Sequence, residues 1–410
     1  MRLLRLDLEN IGGFAALTME FDARLTVLVG VNGSGKSTIL AAIAQTLRAT
    51  LDSSEDETLS YRLRNGATAG RVRLTGVHAG EERHASLVVV TRPDGRVVAE
   101  AEGGLLGSAV PPLPIACLFP DRRIPIDRTP GSIDPAEWGA YSTYAHAFEA
   151  TADFESLFHW FREREDVENA LWRRDGSHSD AQLDAVRSAV ERILGGADEG
   201  SPRFRDLHVR RPMNSPEEPP ARRKPILEIE KDGTQLAFDQ LSEGERTILA
   251  MAADIARRLA IANPGRPDPL EGTGVVLIDE IEIHLHPKWQ SEVLDRLQRV
   301  FTNVQFVVST HSPVVLAGVR AGQIRVLRDF ELHSPAHPTR GRDADAILSE
   351  VFETPARPQW VLDSVSAIAV LLDAEQFHEA RAKLEALAKE LGDVDAEVTR
   401  LGMVLELRAG

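Results

Sequence analysis

Hydrophobic positions in the first forty residues change from a strand-like period to a helical one. Leu3, Leu6, Leu8 and Ile11 give a rough apolar alternation, and Leu25-Thr-Val-Leu-Val29 is an unbroken apolar run that stops at Gly30. From about Ser37 the spacing lengthens, with Ile39, Leu40, Ile43 and Leu47 on one helical face. The order strand, turn, strand, loop, helix is predicted. Residues Val72 to Val98 again read as strands, with Pro93-Asp-Gly95 as a hairpin turn. Pro111, Pro112, Pro114, Pro120 and Pro125 then exclude a continuous helix.

The segment from about 134 to 195 differs. Phe148, Phe154, Leu157, Phe158, Trp160 and Phe161 crowd together in a chain with only 5% aromatic residues, and the pattern predicts helices closing at Gly195-Gly196. Residues 212–225, rich in Pro and Arg, predict an exposed loop. From Ile226 the chain resumes as strand, helix (243–262), buried strand (Val275–Ile278), helix (288–300) and buried strand (Phe306–Ser309). Such alternation implies a parallel sheet. Beyond residue 343 the pattern is helical, first through Leu362, Val365, Ile368, Leu371 and Leu372, then through Ala380, Leu384, Leu387 and Leu391. A helical hairpin is expected near the end.

Composition narrows the class. At about 150 residues per domain, 410 residues suggest two or three units, and 43% hydrophobic residues with 27% charged can build a sizeable core. No apolar run approaches the ~18–20 residues of a membrane span. Asp7 and Glu9 interrupt the start before any signal-peptide core, so export is not expected. A lone Cys117 excludes internal disulfides and cysteine-cluster zinc sites, which fits a reduced cytoplasm. The net charge of −16 argues against a protein built to coat phosphates, although a local basic groove could still operate.

Two motifs carry nucleotide chemistry. Gly30-Val-Asn32-Gly33-Ser34-Gly35-Lys36-Ser37-Thr38 satisfies G-x-x-x-x-G-K-[ST], entered by an apolar strand and left by a helix. Its glycines let backbone N–H groups curl around a phosphate chain, Lys36 supplies charge to the β- and γ-phosphates, and Ser37 offers a hydroxyl to Mg²⁺. Asn32 to Thr38 are therefore the candidate ATP-binding residues. Val275-Val-Leu-Ile278-Asp279-Glu280 delivers two carboxylates at a strand end. Asp279 suits the Mg²⁺ shell, and Glu280 is placed to polarise a water toward the γ-phosphate. Leu241-Ser242-Glu243-Gly244-Glu245 precedes a helix and forms a second anion-binding end. Phe306-Val-Val-Ser309-Thr310-His311-Ser312-Pro313 ends another buried strand with a histidine able to reach a γ-phosphate.

In this order the four segments resemble the ATP-binding-cassette type of ATPase, in its SMC/RecF/OLD-like branch. Three further stretches are similar to the Septu type of anti-phage defence ATPase, including those that accompany retrons: Ile281-Glu-Ile-His284-Leu-His286-Pro287-Lys-Trp289, Trp160-Phe-Arg-Glu-Arg-Glu-Asp166-Val-Glu-Asn169, and Gly341-Arg-Asp-Ala-Asp345-Ala-Ile-Leu348 with Arg357-Pro358. The resemblance implies an α/β fold, an ABC-type P-loop head with a mixed β lobe and a parallel-sheet lobe. Residues 1–133 would form its N-terminal part, 134–200 a helical insertion, 201–335 the part with signature, Walker B and H-loop, and 336–410 a helical C-terminal extension. It also implies that two heads close around two ATPs, with Ser242 and Gly244 acting in trans and His311 sensing the γ-phosphate. The implied partners are a second copy, in a dimer or higher oligomer, and a separate nuclease effector of HNH type. Nucleic acid is left open as a further ligand.

The chain departs from that pattern in two places. Glu282 and Ile283 stand where such loops carry Asp-Leu, and no glutamine lies between Gln45 and Gln182 to mark a Q-loop. Two other functions stay open on the sequence: a RecF-like repair ATPase that binds DNA directly, and a nucleotide-dependent scaffold with little turnover. The cluster Arg203, Arg205, Arg210, Arg211, Arg222, Arg223 and Lys224 reads as a solvated edge rather than a nucleic-acid groove, because aromatic residues are sparse around it. Trp160 reads as helix core, Cys117 as buried packing, and His284-x-His286 as a loop-to-helix transition rather than a metal pair.

Overall fold

The computed structural model describes residues 1–51, 63–94, 97–106, 113–119, 140–144, 147–148, 154–195, 203–211 and 224–409. Gly95, Gly196, Pro111, Pro112, Pro120, Pro125, Arg222 and Arg223 lie outside the described residues, as does most of the 212–225 loop. Two compact units result, Met1–Arg342 and Asp343–Gly410.

The first unit begins with β1 (Arg2–Ile11), β2 (Phe14–Glu20), β3 (Leu25–Val29) and α1 (Lys36–Leu51). It continues through β4 (Ala69–His78), β5 (Glu81–Thr91), β6 (Val97–Gly103) and β7 (Ile115–Phe119). Helices α2 (Phe154–Asp175) and α3 (Ala181–Gly195) follow, then β8 (Phe204–Arg210), β9 (Ile226–Lys231) and β10 (Thr234–Ala237). The unit closes with α4 (Glu243–Ala262), β11 (Gly274–Ile278), α5 (Pro287–Val300), β12 (Val304–Thr310), α6 (Pro313–Leu316), β13 (Ile324–Arg328) and β14 (Glu331–His333).

Three sheets form. One is antiparallel, in the order β2-β1-β4-β5-β6, and a small one runs β10-β9-β8. The largest runs β14-β13-β3-β12-β11-β7, parallel from β13 to β7 with β14 antiparallel at its edge. Alternation explains the antiparallel sheet: Leu6, Leu8, Val72, Leu74, Leu87 and Val89 are buried while Arg5, Glu9, Arg71 and Arg73 face solvent. The parallel strands instead are apolar on both faces, and every residue of β3, β11 and β12 is buried. Helix α1 lies between the two sheets, burying Ile39, Leu40, Ile43 and Leu47. Gln305 joins the sheets at their far end: its side chain accepts from Leu3 N at 2.7 Å and donates to Leu3 O at 3.0 Å and Asp22 O at 2.8 Å.

The aromatic segment is core, not surface. Trp160 and Phe161 are buried on α2, and α3 packs against α4, α5 and β8. Buried Glu165 is satisfied by Arg187 at 3.1 Å, Arg211 at 2.8 Å and the backbone N–H of Val209 at 3.0 Å. In the second unit, α7 (Ala344–Val351), α8 (Gln359–Asp373), α9 (Phe377–Leu391) and α10 (Ala396–Ala409) follow in sequence. Ile368, Leu372, Ala380, Leu384, Leu387, Val398, Leu401 and Leu405 make a shared core for α8, α9 and α10.

Beyond its polar first turn, helix α4 is nearly all apolar except for one buried ionic cluster. Asp254 accepts from Arg257 at 2.6 Å and from Arg258 at 2.8 Å, and all three side chains are at most 2% exposed. Burial alone would raise the Asp254 pKa, but the two guanidiniums outweigh it and hold the carboxyl below its ordinary range. Asp254→Ala leaves two buried cations without that carboxylate and should cost about 3–5 kcal/mol, seen as a lowered urea midpoint with unchanged slope.

Candidate functional site

Strand β3 ends in the phosphate-type loop, and α1 starts with Lys36. Its Nζ donates to Gly30 O at 2.9 Å and Val31 O at 3.1 Å, which curls the loop around the ammonium. Gly35 adopts φ +101°, and a Cβ there would come within 2.4 Å of Phe14 Cζ, so both conformation and space require glycine. Val31, Asn32, Gly33 and Ser37 are exposed, Thr38 is half-buried, and Ser34 is buried with no partner for its hydroxyl. Burial lowers the Lys36 pKa, against the opposing pull of Asp279, Glu280 and Glu282. A buried ammonium, an unpartnered hydroxyl and exposed backbone at the start of a 16-residue helix fit a chain of phosphates.

The acids stand two strands away, with β12 between. Val29 is level with Thr310, and Ile278 with Val308, so continuing the ladders brings Asp279 beside Ser309 and Gly30 beside His311. The side chains bear this out. Ser309 Oγ donates to Asp279 Oδ1 and accepts from the backbone N–H of Glu280 at 2.8 Å. Asp279 N donates to Phe119 O at 3.1 Å, which anchors the carboxylate to the β7 edge. Glu280 has φ +48°, an uncommon conformation for a side chain that is not glycine. His311 Nε2 lies 4.0 Å from Glu280 Oε1. Burial lowers the His311 pKa and Lys36 lowers it further, while Glu282, Glu280 and Asp279 oppose the shift. Lys36, Asp279, Glu280 and His311 therefore share one electrostatic neighbourhood. A carboxylate at a strand end suits Mg²⁺, which uses few protein ligands and keeps several waters.

Ser242 and Gly244 stand apart from this group. Ser242 caps α4 by a reciprocal pair: Glu245 N donates to its Oγ at 3.4 Å, and Glu245 Oε2 accepts from Ser242 N at 3.1 Å. Lys231 donates to Glu245 at 2.7 Å; burial would raise the Glu245 pKa, but Lys231 and Ser242 hold it below its ordinary value. Gly244 sits against the loop that follows Glu280, where an added Cβ would meet His284 O at 2.6 Å. His284 Nδ1 lies 3.4 Å from Glu243. Among the described residues, no hydrogen bond or ion pair links Ser242 or Gly244 to the 30–38 loop of the same chain.

One residue with structural weight escaped the sequence-based reading of roles. The Glu282 carboxylate accepts from Thr310 Oγ1 at 2.7 Å and from the His311 N–H at 2.6 Å. Its only sequence signal is the departure from Asp-Leu noted above.

The remaining motifs resolve as structure. Arg203, Arg205, Arg210 and Arg211 pair with Asp232, Glu230, Glu228 and Glu165, respectively. His286 caps α5 by accepting from Lys288 N at 3.3 Å. Among the described residues no group of three or more His, Cys, Asp or Glu gathers to hold a metal. Cys117 is buried, and burial pushes its thiol up to about 12. No helix among the described residues is long and apolar enough to cross a membrane.

Comparison with known proteins places the chain among ATPases. Residues 122–317 match a family described as "AAA domain, putative AbiEii toxin, Type IV TA system", and residues 5–100 match a second AAA domain family. The retron Ec83 probable ATPase of Escherichia coli is 28% identical, with 100% of this chain and 87% of that protein covered. The Septu protein PtuA of Bacillus mycoides is 41% identical over 94 residues, 23% of this chain and 13% of that protein. Among solved structures, the SMC head domain from Thermotoga maritima is 17% identical with a TM-score of 0.43, covering 82% of this chain and 99% of that one. The AAA domain matches and the sequence kinship make this chain an ATPase related to the retron probable ATPases and the Septu proteins.

Proposed function

We propose that the chain binds Mg-ATP on residues 30–38, closes as a symmetric pair around two nucleotides, and uses the closed and open forms to control a partner effector. The observation that carries the reading is the convergence of Lys36, Asp279, Glu280 and His311 at three adjacent strand ends beside a helix N-terminus. Lys36 neutralises the β- and γ-phosphates. Ser37 and Asp279 hold the magnesium ion, whose charge offsets that of the phosphates. Glu280 takes a proton from the water that attacks the γ-phosphorus as the bond to the bridging oxygen breaks. His311 senses the γ-phosphate from β12.

Closure in trans is supported by exposure. Ser242 and Glu243 face solvent at the start of α4, and Val31, Asn32 and Gly33 face solvent on the P-loop. A helix N-terminus with a partial positive charge complements a phosphate left open on another copy, and two-fold symmetry satisfies both sites at once. Kinship with retron and Septu proteins supports a role in anti-phage defence; an HNH-type nuclease as the effector is what the resemblance of the sequence motifs implies. Direct DNA binding through the basic cluster has less support, since four of its arginines are already paired with carboxylates.

Lys36→Ala removes the charge that faces the phosphates and should weaken Mg-ATP binding by about 100-fold, the equivalent of ~2.7 kcal/mol. Unchanged affinity by isothermal titration in the folded variant would sink the nucleotide assignment. Glu280→Gln should bind ATP but lower kcat by about 10²–10⁴. In a Cys117→Ser background with Val31→Cys and Glu243→Cys, a bismaleimide should then crosslink two copies only when Mg-ATP is present. Equal yields with and without nucleotide, or none at all, would refute closure around ATP.

A further inference from the structure

We infer that Glu282 is a positioning residue for His311, a latch that fixes the histidine-bearing turn to the loop behind Glu280. This deepens the ATPase reading above and rests on it only for the catalytic consequence. The loop from Asp279 to His286 has to be held in place, because Glu280 and His284 both adopt left-handed conformations, at φ +48° and +62°. Two straps tie it to the end of β12. In the first, the Glu282 carboxylate spans two donors, the Thr310 hydroxyl at 2.7 Å and the His311 N–H at 2.6 Å. In the second, Ser312 Oγ donates to Gln290 Oε1 at 2.8 Å, and Gln290 Nε2 donates to Leu285 O at 2.9 Å.

The direction of the Thr310 bond follows from its other partner. Ser312 N–H donates to Thr310 Oγ1 at 3.0 Å, leaving the hydroxyl hydrogen to point at Glu282. Both ends of the carboxylate are thus acceptors, and the latch bonds the very N–H of the residue whose ring lies 4.0 Å from Glu280. The same loop meets the signature through Gly244, which leaves no room for a Cβ against His284 O. The loop that carries Glu282 therefore touches both the start of α4, through His284, and the His311 turn, through Glu282 itself.

Glu282 also lies near enough to influence the Lys36 and His311 charges, so position and charge must be separated. Three variants do this. Glu282→Gln keeps the reach and can still bond both partners, accepting from His311 N–H and donating to the free lone pair of Thr310 Oγ1. Glu282→Asp keeps the charge but is one methylene short of spanning them. Glu282→Ala loses both bonds. As a latch, Gln should retain kcat within about threefold, while Asp and Ala lower it by about 10–100-fold at unchanged KM for ATP. The reverse order, Asp active and Gln inactive, would show that charge is what matters and overturn the proposal. A second measurement is independent of turnover: amide hydrogen exchange at His311 should accelerate about tenfold in the Ala variant and be restored in Gln. Unchanged exchange in the Ala variant defeats the latch even if kcat falls. If wild-type protein fails to hydrolyse ATP yet exchange follows this order, the ATPase reading fails and the latch stands.

Discussion

The constraint on which the rest depends is that β3, β12 and β11 lie side by side with no exposed residue in any of them. A strand buried on both faces cannot present charge along its length, because an ion moved there without a partner costs several kcal/mol. Charged chemistry is therefore confined to strand ends. In a parallel sheet the carboxyl ends share one edge, where a crevice for ligands forms. Register then decides which ends meet. Because Val29 is level with Thr310 and Ile278 with Val308, the P-loop, Ser309 to His311 and the two acids emerge together. A slip of one residue would remove the Ser309 hydroxyl from Asp279 and leave the Glu280 N–H without its acceptor.

What could be read from the sequence follows from how local each signal is. The P-loop was legible because its spacing, its apolar entry strand and its exit helix all fall within some thirty residues. The buried strands at Val275–Ile278 and Phe306–Ser309 were legible as short apolar runs, and they proved to be the cores of β11 and β12. The order of strands was not, since nothing local places β7 beside β11 or β12 between β3 and β11. Short strands such as β13 and β14 were missed for a related reason. Their worth lies in distant packing, as when Phe330, between them, sets its ring edge-on to Phe14 at 5.4 Å beneath the P-loop glycine Gly35. Glu282 was visible only as a departure, because the groups it joins lie 28 and 29 residues away.

Charge illustrates the same limit. The arginines of β8 and its flanks look like a basic edge in one dimension, yet strand pairing sets Arg205 opposite Glu230 of β9, and Arg210 reaches diagonally to Glu228 of the same strand. Arg211 reaches back to α2, where Glu165 is almost fully buried and needs a cation. The cluster thereby becomes part of how the helical segment is fastened to the small sheet.

The polar bonds across the β11–β12 boundary also bear on how the site moves. Asp279 with Ser309, the Glu280 N–H with Ser309, and Glu282 with Thr310 and His311 are successive links along one seam. Parting the two segments would break each link, and a hydrogen bond to a charged group is worth about 1.5–3 kcal/mol. The two strand ends are therefore best regarded as one rigid piece that carries both Glu280 and His311. Gly244 touches that piece at His284 O with no slack, so a displacement of the N-terminus of α4 cannot be absorbed at the contact. It is passed either to the loop, where Glu280 and His284 already hold strained conformations, or along α4 toward the helices packed on it. The first route is short and stiff, and the second crosses 20 residues of helix. Events at the start of α4 are thus coupled first to Glu280 and His311.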